Sequence, residues 1–215
     1  MGRGSSKAGG SGGDLLGKSS SPQNVSDIKD MLSQRGKYQT EVDEVMAVSQ
    51  RLNNLYGDEG VIRQFQTAKM SGAYAYYDSD GNIAVNQRYM NSAAMNKSFD
   101  AGVKSGFHPS RGNKSGLEAT AAHEFGHALT DKAAQKMGVN SLEKAARTIV
   151  ERARTKTSHK TNLDMAKKIS GYAQYNFAEC VAEAFGDWYC NGTKAKKESR
   201  AIVSVLNSYV RGGKK

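Results

Sequence analysis

Apolar residues recur at helical spacing along most of this chain and alternate as in strands over one short stretch. From Thr40 to Leu55, the residues Val42, Val45, Met46, Val48, Leu52 and Leu55 share one helical face, and Gly57 stops the run. Ser26 to Gln34 predicts a shorter helix ahead of it. Between Ala73 and Val85 the pattern changes to a hairpin: Ala73 to Tyr77 as strand, Asp78-Ser79-Asp80-Gly81 as a tight turn, and Asn82 to Val85 as the returning strand. Asn91 to Lys104 resumes helical spacing, and His108-Pro109 to Lys114 reads as loop. Ser115-Gly116-Leu117-Glu118 is a capping box that opens a long helix to about Met137. Further helices are predicted over Ser141 to Lys156, Thr161 to Ser170 with Gly171 as its stop, Asn176 to Cys190, and Lys196 to Arg211. The expected fold class is α+β, mostly helical with a small antiparallel sheet.

Residues 1–21 are dominated by Gly and Ser, with Leu15 and Leu16 as their apolar material, too little to offset the entropy of ordering. They are expected to form a disordered tail on one domain over 22–215, with a helical N-terminal part over 22–69 and a core over 70–215. The 38% hydrophobic content of the 215 residues is enough for that core. The 31 Lys and Arg against 21 Asp and Glu leave a formal charge of +10, which invites an acidic partner: nucleic acid, an anionic membrane surface or an acidic polypeptide. The basic residues are spread widely and no nucleic-acid motif accompanies them, so a basic solvated surface is the simpler reading. Cys180 and Cys190 lie ten residues apart in one predicted helix, too far apart to bridge. Neither a secretory apolar region nor a membrane-length apolar run is present, which predicts a soluble chain without a Sec-type signal and without a membrane span.

Candidate chemistry stands in the capped helix, where His123-Glu124-Phe125-Gly126-His127 is an H-E-x-x-H motif. Histidines at i and i+4 lie about 40° apart around a helix and one turn apart along it, so both rings can reach one tetrahedral Zn²⁺. Leu117, Ala121, Phe125 and Leu129 form the apolar stripe of that helix, and the two histidines face away from it. Glu124 falls at the border, where its carboxylate can serve an attacking water as general base.

A catalytic zinc wants a third protein ligand, and no third histidine follows in the pattern H-E-x-x-H-x-x-G-x-x-H. The helix from Asn176 carries Glu179, Glu183 and Asp187 at i, i+4 and i+8, away from its stripe of Phe177, Val181, Phe185 and Trp188. Stacked like charges repel unless a cation compensates them, which suits a metal. Asn176-Phe177-Ala178-Glu179 also has capping-box spacing, and acidic stripes commonly face solvent. On the residues alone the two readings of Glu179 balance.

The segment Tyr172-Ala-Gln-Tyr-Asn176-Phe-Ala-Glu179-Cys-Val-Ala-Glu183-Ala-Phe185, following His123-Glu-Phe-Gly-His127, resembles the catalytic domain of anthrax lethal factor and related zincin-like peptidases of phage and bacterial toxin proteins. The resemblance covers Glu118 to Thr130 and Gly171 to Trp188, not the N-terminal third. It departs from the pattern at Cys180, where a bulky apolar residue usually follows the ligand. What the resemblance implies is a zincin-like domain hydrolysing peptide bonds, with Zn²⁺ held by His123, His127 and Glu179 and with Glu124 as general base. It further implies that Glu183 orients a histidine ligand and that Tyr172 stabilises the oxyanion, a packing tyrosine being the alternative because Tyr175 lies close by. It also implies that the strand with Ile83, Ala84 and Val85 is an edge that holds an extended polypeptide substrate. The expected location is the bacterial cytoplasm or a phage or toxin particle. The alternative function is a catalytically silent, zinc-stabilised structural or interaction protein of such a particle.

Overall fold

The computed structural model describes residues 24–57, 62–78 and 80–211. Along them run strand β1 (Val25–Asp30), helix α1 (Gln39–Tyr56), strands β2 (Gln64–Met70), β3 (Ala75–Tyr77) and β4 (Asn82–Asn86), and helices α2 (Ser92–Lys104), α3 (Gly116–Met137), α4 (Leu142–Thr157), α5 (Asn162–Ile169), α6 (Phe177–Asn191) and α7 (Lys197–Val210). The fold is α+β and mostly helical, with the helices from α1 onward close to their expected bounds. The tail expected over 1–21 lies outside the described residues. Among the described residues no helix is long and apolar enough to cross a membrane.

Two expectations about the N-terminal part are corrected. Ser26 to Gln34 is a strand followed by a single 3-10 turn at Leu32–Gln34, and Gln64–Met70 in the supposedly helical 22–69 part is a second strand. An isolated helix of nine residues is marginal in water. The same backbone instead pairs antiparallel with β2, from Val25 against Met70 to Asp30 against Gln66, with an irregularity between Ser26 and Lys29 where Asp27 takes φ +51°. The sheet is also mixed rather than antiparallel. Its order is β1-β2-β4-β3, with β2 parallel to β4 and β3 antiparallel to it. Gln64–Met70 offers few large apolar residues, so only the partner strand reveals it.

The hairpin between β3 and β4 closes as its turn chemistry requires. The Asp78 carboxylate accepts from the amides of Asp80 and Asn82 at 3.0 and 2.9 Å, and Gly81 takes φ +88°, which glycine adopts without a Cβ penalty. Buried Asn86 donates to the carbonyls of Met70 and Ala73 at 2.9 and 2.8 Å, tying the end of β2 to the start of β3. These bonds hold β3 on the outer side of β4, alongside α3.

Helix α3 begins at the predicted capping box, with Ser115 Oγ accepting from Glu118 N at 3.1 Å and Glu118 Oε2 accepting from Ser115 N at 3.0 Å. It is buried on most sides, not on one stripe only, because α6, α1, α4, α2, α7 and the sheet all pack on it. Phe125 of α3 and Phe185 of α6 are fully buried, their rings 6.5 Å apart, with Tyr56 of α1 within 6.4 Å of both. Gly126 lets the two helices close up: a Cβ there would stand 2.9 Å from Ala182 Cα and 3.0 Å from Phe185 Cβ. The start of α6 is fixed from two sides. Glu143 of α4 accepts from the amides of Phe177 and Ala178 at 3.0 and 2.9 Å, and Asn176 Oδ1 accepts from Glu179 N at 2.7 Å.

Candidate metal centre

Close packing of α3 on α6 brings the two sequence blocks face to face. Nε2 of His123 lies 3.1 Å from Glu179 Oε2, and Nε2 of His127 lies 3.5 Å from the same oxygen. One ligand atom from each of these three buried residues lies within 4.8 Å of the other two. Ligand atoms around a tetrahedral ion at about 2.1 Å stand about 3.4 Å from one another, a spacing the two measured separations bracket. Glu179 Oε2 is buried and has no hydrogen-bond partner. Three possible ligand atoms thus lie close together, already paired as ions, and two imidazoles with a carboxylate are a donor set that suits zinc. The residues present fit the ion.

The Glu179 side chain lies against both histidines. Asn176 Oδ1 caps α6 at Glu179 N, and Glu179 Oε2 is directed at the histidines. Burial works against ionisation of Glu179, and the two histidines overcome it, holding its carboxyl well below the usual range. Burial likewise disfavours charge on His123, yet the carboxylates of Glu179, Glu183 and Glu124 around it hold that ring well above the ordinary histidine pKa. Glu124, Glu179 and Glu183 are each at most 5% exposed. A site so rich in buried carboxylate demands positive charge, from protons on histidine or from a divalent cation.

Glu183 Oε1 is 3.0 Å from His123 Nδ1, while Nε2 of the same ring faces Glu179. Asp187, the third carboxylate of the stripe, is not part of the centre. It accepts from Asn191 Nδ2 at 2.8 Å and from Lys196 N at 2.9 Å, fastening the other end of α6 to the start of α7.

Glu124 lines the same cleft. Burial pushes its carboxyl above the usual range and Glu179 adds to the rise, while His123, His127 and a hydrogen bond from the Tyr77 amide pull the other way. Tyr172 stacks on His123 with ring centroids 5.9 Å apart and 20° between planes. Burial, then the charges of Glu179, Glu124 and Glu183, push its phenol far up, so it remains a proton donor. Tyr175 is 43% exposed and reaches the cleft rim, with its ring 5.2 Å from Tyr172.

The expectation for Ile83, Ala84 and Val85 is corrected. They lie in β4, which pairs with β2 on one side and β3 on the other, and at most 1% of each is exposed. Their main chain is consumed by the sheet. The edge at the cleft is β3. Asp78 N bonds Asn82 O and Asn86 N bonds Tyr74 O, so the alternation of the antiparallel ladder turns the main-chain groups of Ala75 and Tyr77 outward.

Two further residues converge on Glu183 that the sequence pattern did not single out. His108 Nδ1 lies 3.1 Å from Oε1, and Ser170 Oγ donates to Oε2 at 2.7 Å. Both sit in connections between helices, where periodicity is silent; the adjoining Pro109 and Gly171 mark breaks and say nothing of chemistry. The cleft over the centre has a volume of about 730 Å³ and is walled by rings, among them Tyr74, Tyr76, Phe107, Tyr172 and Tyr175. The two cysteines are free, and burial raises both thiols, which removes them as nucleophiles at neutral pH. Comparison of the chain with family models, with curated proteins and with solved structures gives no match.

Proposed function

We infer that this protein is a zinc-dependent endopeptidase with a zincin-like domain. The observation that carries the reading is the convergence of His123 Nε2, His127 Nε2 and the buried Glu179 Oε2 in a cleft that Glu124 and Tyr172 also line. When bound, zinc supplies Lewis acidity to the scissile carbonyl and to the attacking water. His123, His127 and Glu179 hold the ion, and Glu183 keeps His123 turned toward it. Glu124 takes a proton from the water and passes it to the leaving amine; its raised pKa suits both halves of that transfer. Tyr172 donates its hydroxyl hydrogen to the carbonyl oxygen as charge develops there. An extended peptide finds main-chain partners on the outward edge of β3 at Ala75 and the Tyr77 carbonyl, the Tyr77 amide being taken by Glu124. The net charge of +10 on the chain favours an acidic polypeptide as substrate.

The test is metal analysis of the purified protein followed by digestion of an unfolded protein mixture, with and without chelator, beside Glu124→Gln. The expected result is about one zinc per chain, with hydrolysis lost on chelation and in the variant. Protein that neither contains zinc nor takes it up on titration overturns the metal reading. Zinc without hydrolysis of any substrate replaces the peptidase by a zinc-stabilised interaction protein.

A further inference from the structure

Glu183 is 3% exposed and its carboxylate is surrounded: Oε1 faces Nδ1 of both His123 and His108, at 3.0 and 3.1 Å, and Oε2 accepts from Ser170 Oγ at 2.7 Å. The two histidines come from different places, His123 from α3 and His108 from the loop after α2. Nothing in the coordination of a metal by His123, His127 and Glu179 calls for the second of them.

His108 is itself held with unusual care. Its ring stacks on Phe99 with centroids 5.0 Å apart and 13° between planes, and Phe107 packs edge-on at 4.9 Å. Gly102 makes room for it, since a Cβ at that position would stand 2.8 Å from His108 Cδ2. The same loop reaches the other side of the centre. Gly106 O accepts from Gly171 N at 2.8 Å, and Phe107 O accepts from Tyr172 N at 3.0 Å. Loop, Ser170 and Tyr172 are therefore one hydrogen-bonded unit around Glu183.

We propose that His108 is a positioning residue of the metal centre: by donating Nδ1–H to Glu183 it fixes the carboxylate that fixes His123. The role rests on the metal reading above. Without His108 the carboxylate keeps Ser170 on Oε2 but can turn about that contact, and His123 would turn with it. With His108 and Ser170 on it, Glu183 has one orientation, and His123 Nε2 is presented to the ion before binding.

Two substitutions separate this role from packing. His108→Phe keeps a ring against Phe99 and removes the donor; His108→Asn loses the ring and keeps an N–H close to the place of Nδ1. Melting temperature, zinc affinity by chelator competition, and the ring ¹H–¹³C signals of His123 in zinc-free protein are measured for each. The expected result is that His108→Phe folds yet binds zinc about 10- to 100-fold more weakly, with doubled or broadened His123 signals. His108→Asn melts lower but keeps near-normal zinc affinity and one sharp set of signals. The proposal is overturned if His108→Phe matches wild type in affinity and ring signals, or if both variants lose affinity only in step with melting temperature. Wild-type protein that takes up no zinc removes the metal reading instead, and the ring signals still decide whether His108 holds His123.

Discussion

Gly126 faces Ala182 so closely that a Cβ on the glycine would stand 2.9 Å from the Ala182 Cα. The contact sets the spacing of α3 and α6, and with it the distance from the two histidines to Glu179. Gly126→Ala should therefore do more than strain the core. Overpacking of this kind costs about 1 to 3 kcal/mol, and here the strain pushes the helices that carry the proposed ligands apart, so zinc affinity should fall as well. Gly186→Ala is the control: its new Cβ would meet nothing closer than Ala119 O at 3.8 Å, and alanine is the better helix former by up to about 1 kcal/mol. Urea midpoints and zinc titrations of the two variants check the contrast. Equal zinc affinity in both would remove helix spacing as a determinant of the site.

Glu183 links the centre to acid stability. Burial raises its pKa, and hydrogen bonds from His108 and His123 outweigh that and bring it to about 2. An unfolded glutamate titrates near ~4.3. The folded value is depressed, so the stabilisation is present above ~4.3 and is lost as pH falls toward 2. Glu183→Gln should cost the zinc-free protein on the order of a few kcal/mol at neutral pH, and the gap from wild type should narrow in acid. Urea midpoints at pH 7, 5 and 3 measure it; a gap that stays constant would show that the ionised carboxylate is not what stabilises.

Glu124 carries the opposite sign. Its carboxyl sits above the usual range, first through burial, so its favourable contribution is complete below the unfolded pKa and disappears as pH rises through the folded one. Replacing it by glutamine should raise the melting temperature of zinc-free protein at neutral pH, with the gain vanishing in acid. The variant should bind zinc and fail to hydrolyse peptides, since an amide cannot accept the proton of water. Retained hydrolysis would take the base role away from this residue.

Tyr172 and Tyr175 differ in what they touch. Tyr172 stacks on His123, whereas Tyr175 reaches solvent at the rim. Tyr172→Phe keeps the ring and deletes the hydroxyl, so kcat should drop on the order of 10² to 10³ with zinc content and fold preserved. Tyr175→Phe should leave kcat near wild type. Steady-state kinetics on one peptide substrate separates them; if only Tyr175→Phe loses turnover, the oxyanion donor is the outer tyrosine.

Much of this protein was legible before any coordinates. Periodicity, the Ser115 capping box and the Gly stops are local signals, and α1 to α7 lie within a few residues of where those signals end. The two histidines needed nothing beyond the helical repeat to share a face. Position in the sheet was decided elsewhere. Ile83, Ala84 and Val85 read as a strand, but whether that strand is an edge depends on β2, a segment whose few large apolar residues become a strand only against β1 and β4. Ser26 to Gln34 went the same way, since a short segment takes the conformation its partner offers. The centre divides along the same line. His123, Glu124 and His127 are three residues within five positions of one helix, whereas Glu179 meets them only because Gly126 packs on Ala182 and brings α6 against α3. His108 and Ser170 meet on Glu183 from loops far apart in the chain. Local hydrogen bonds and side-chain spacing are written in sequence; which distant segments come within 3 Å of one another is settled by packing the whole core.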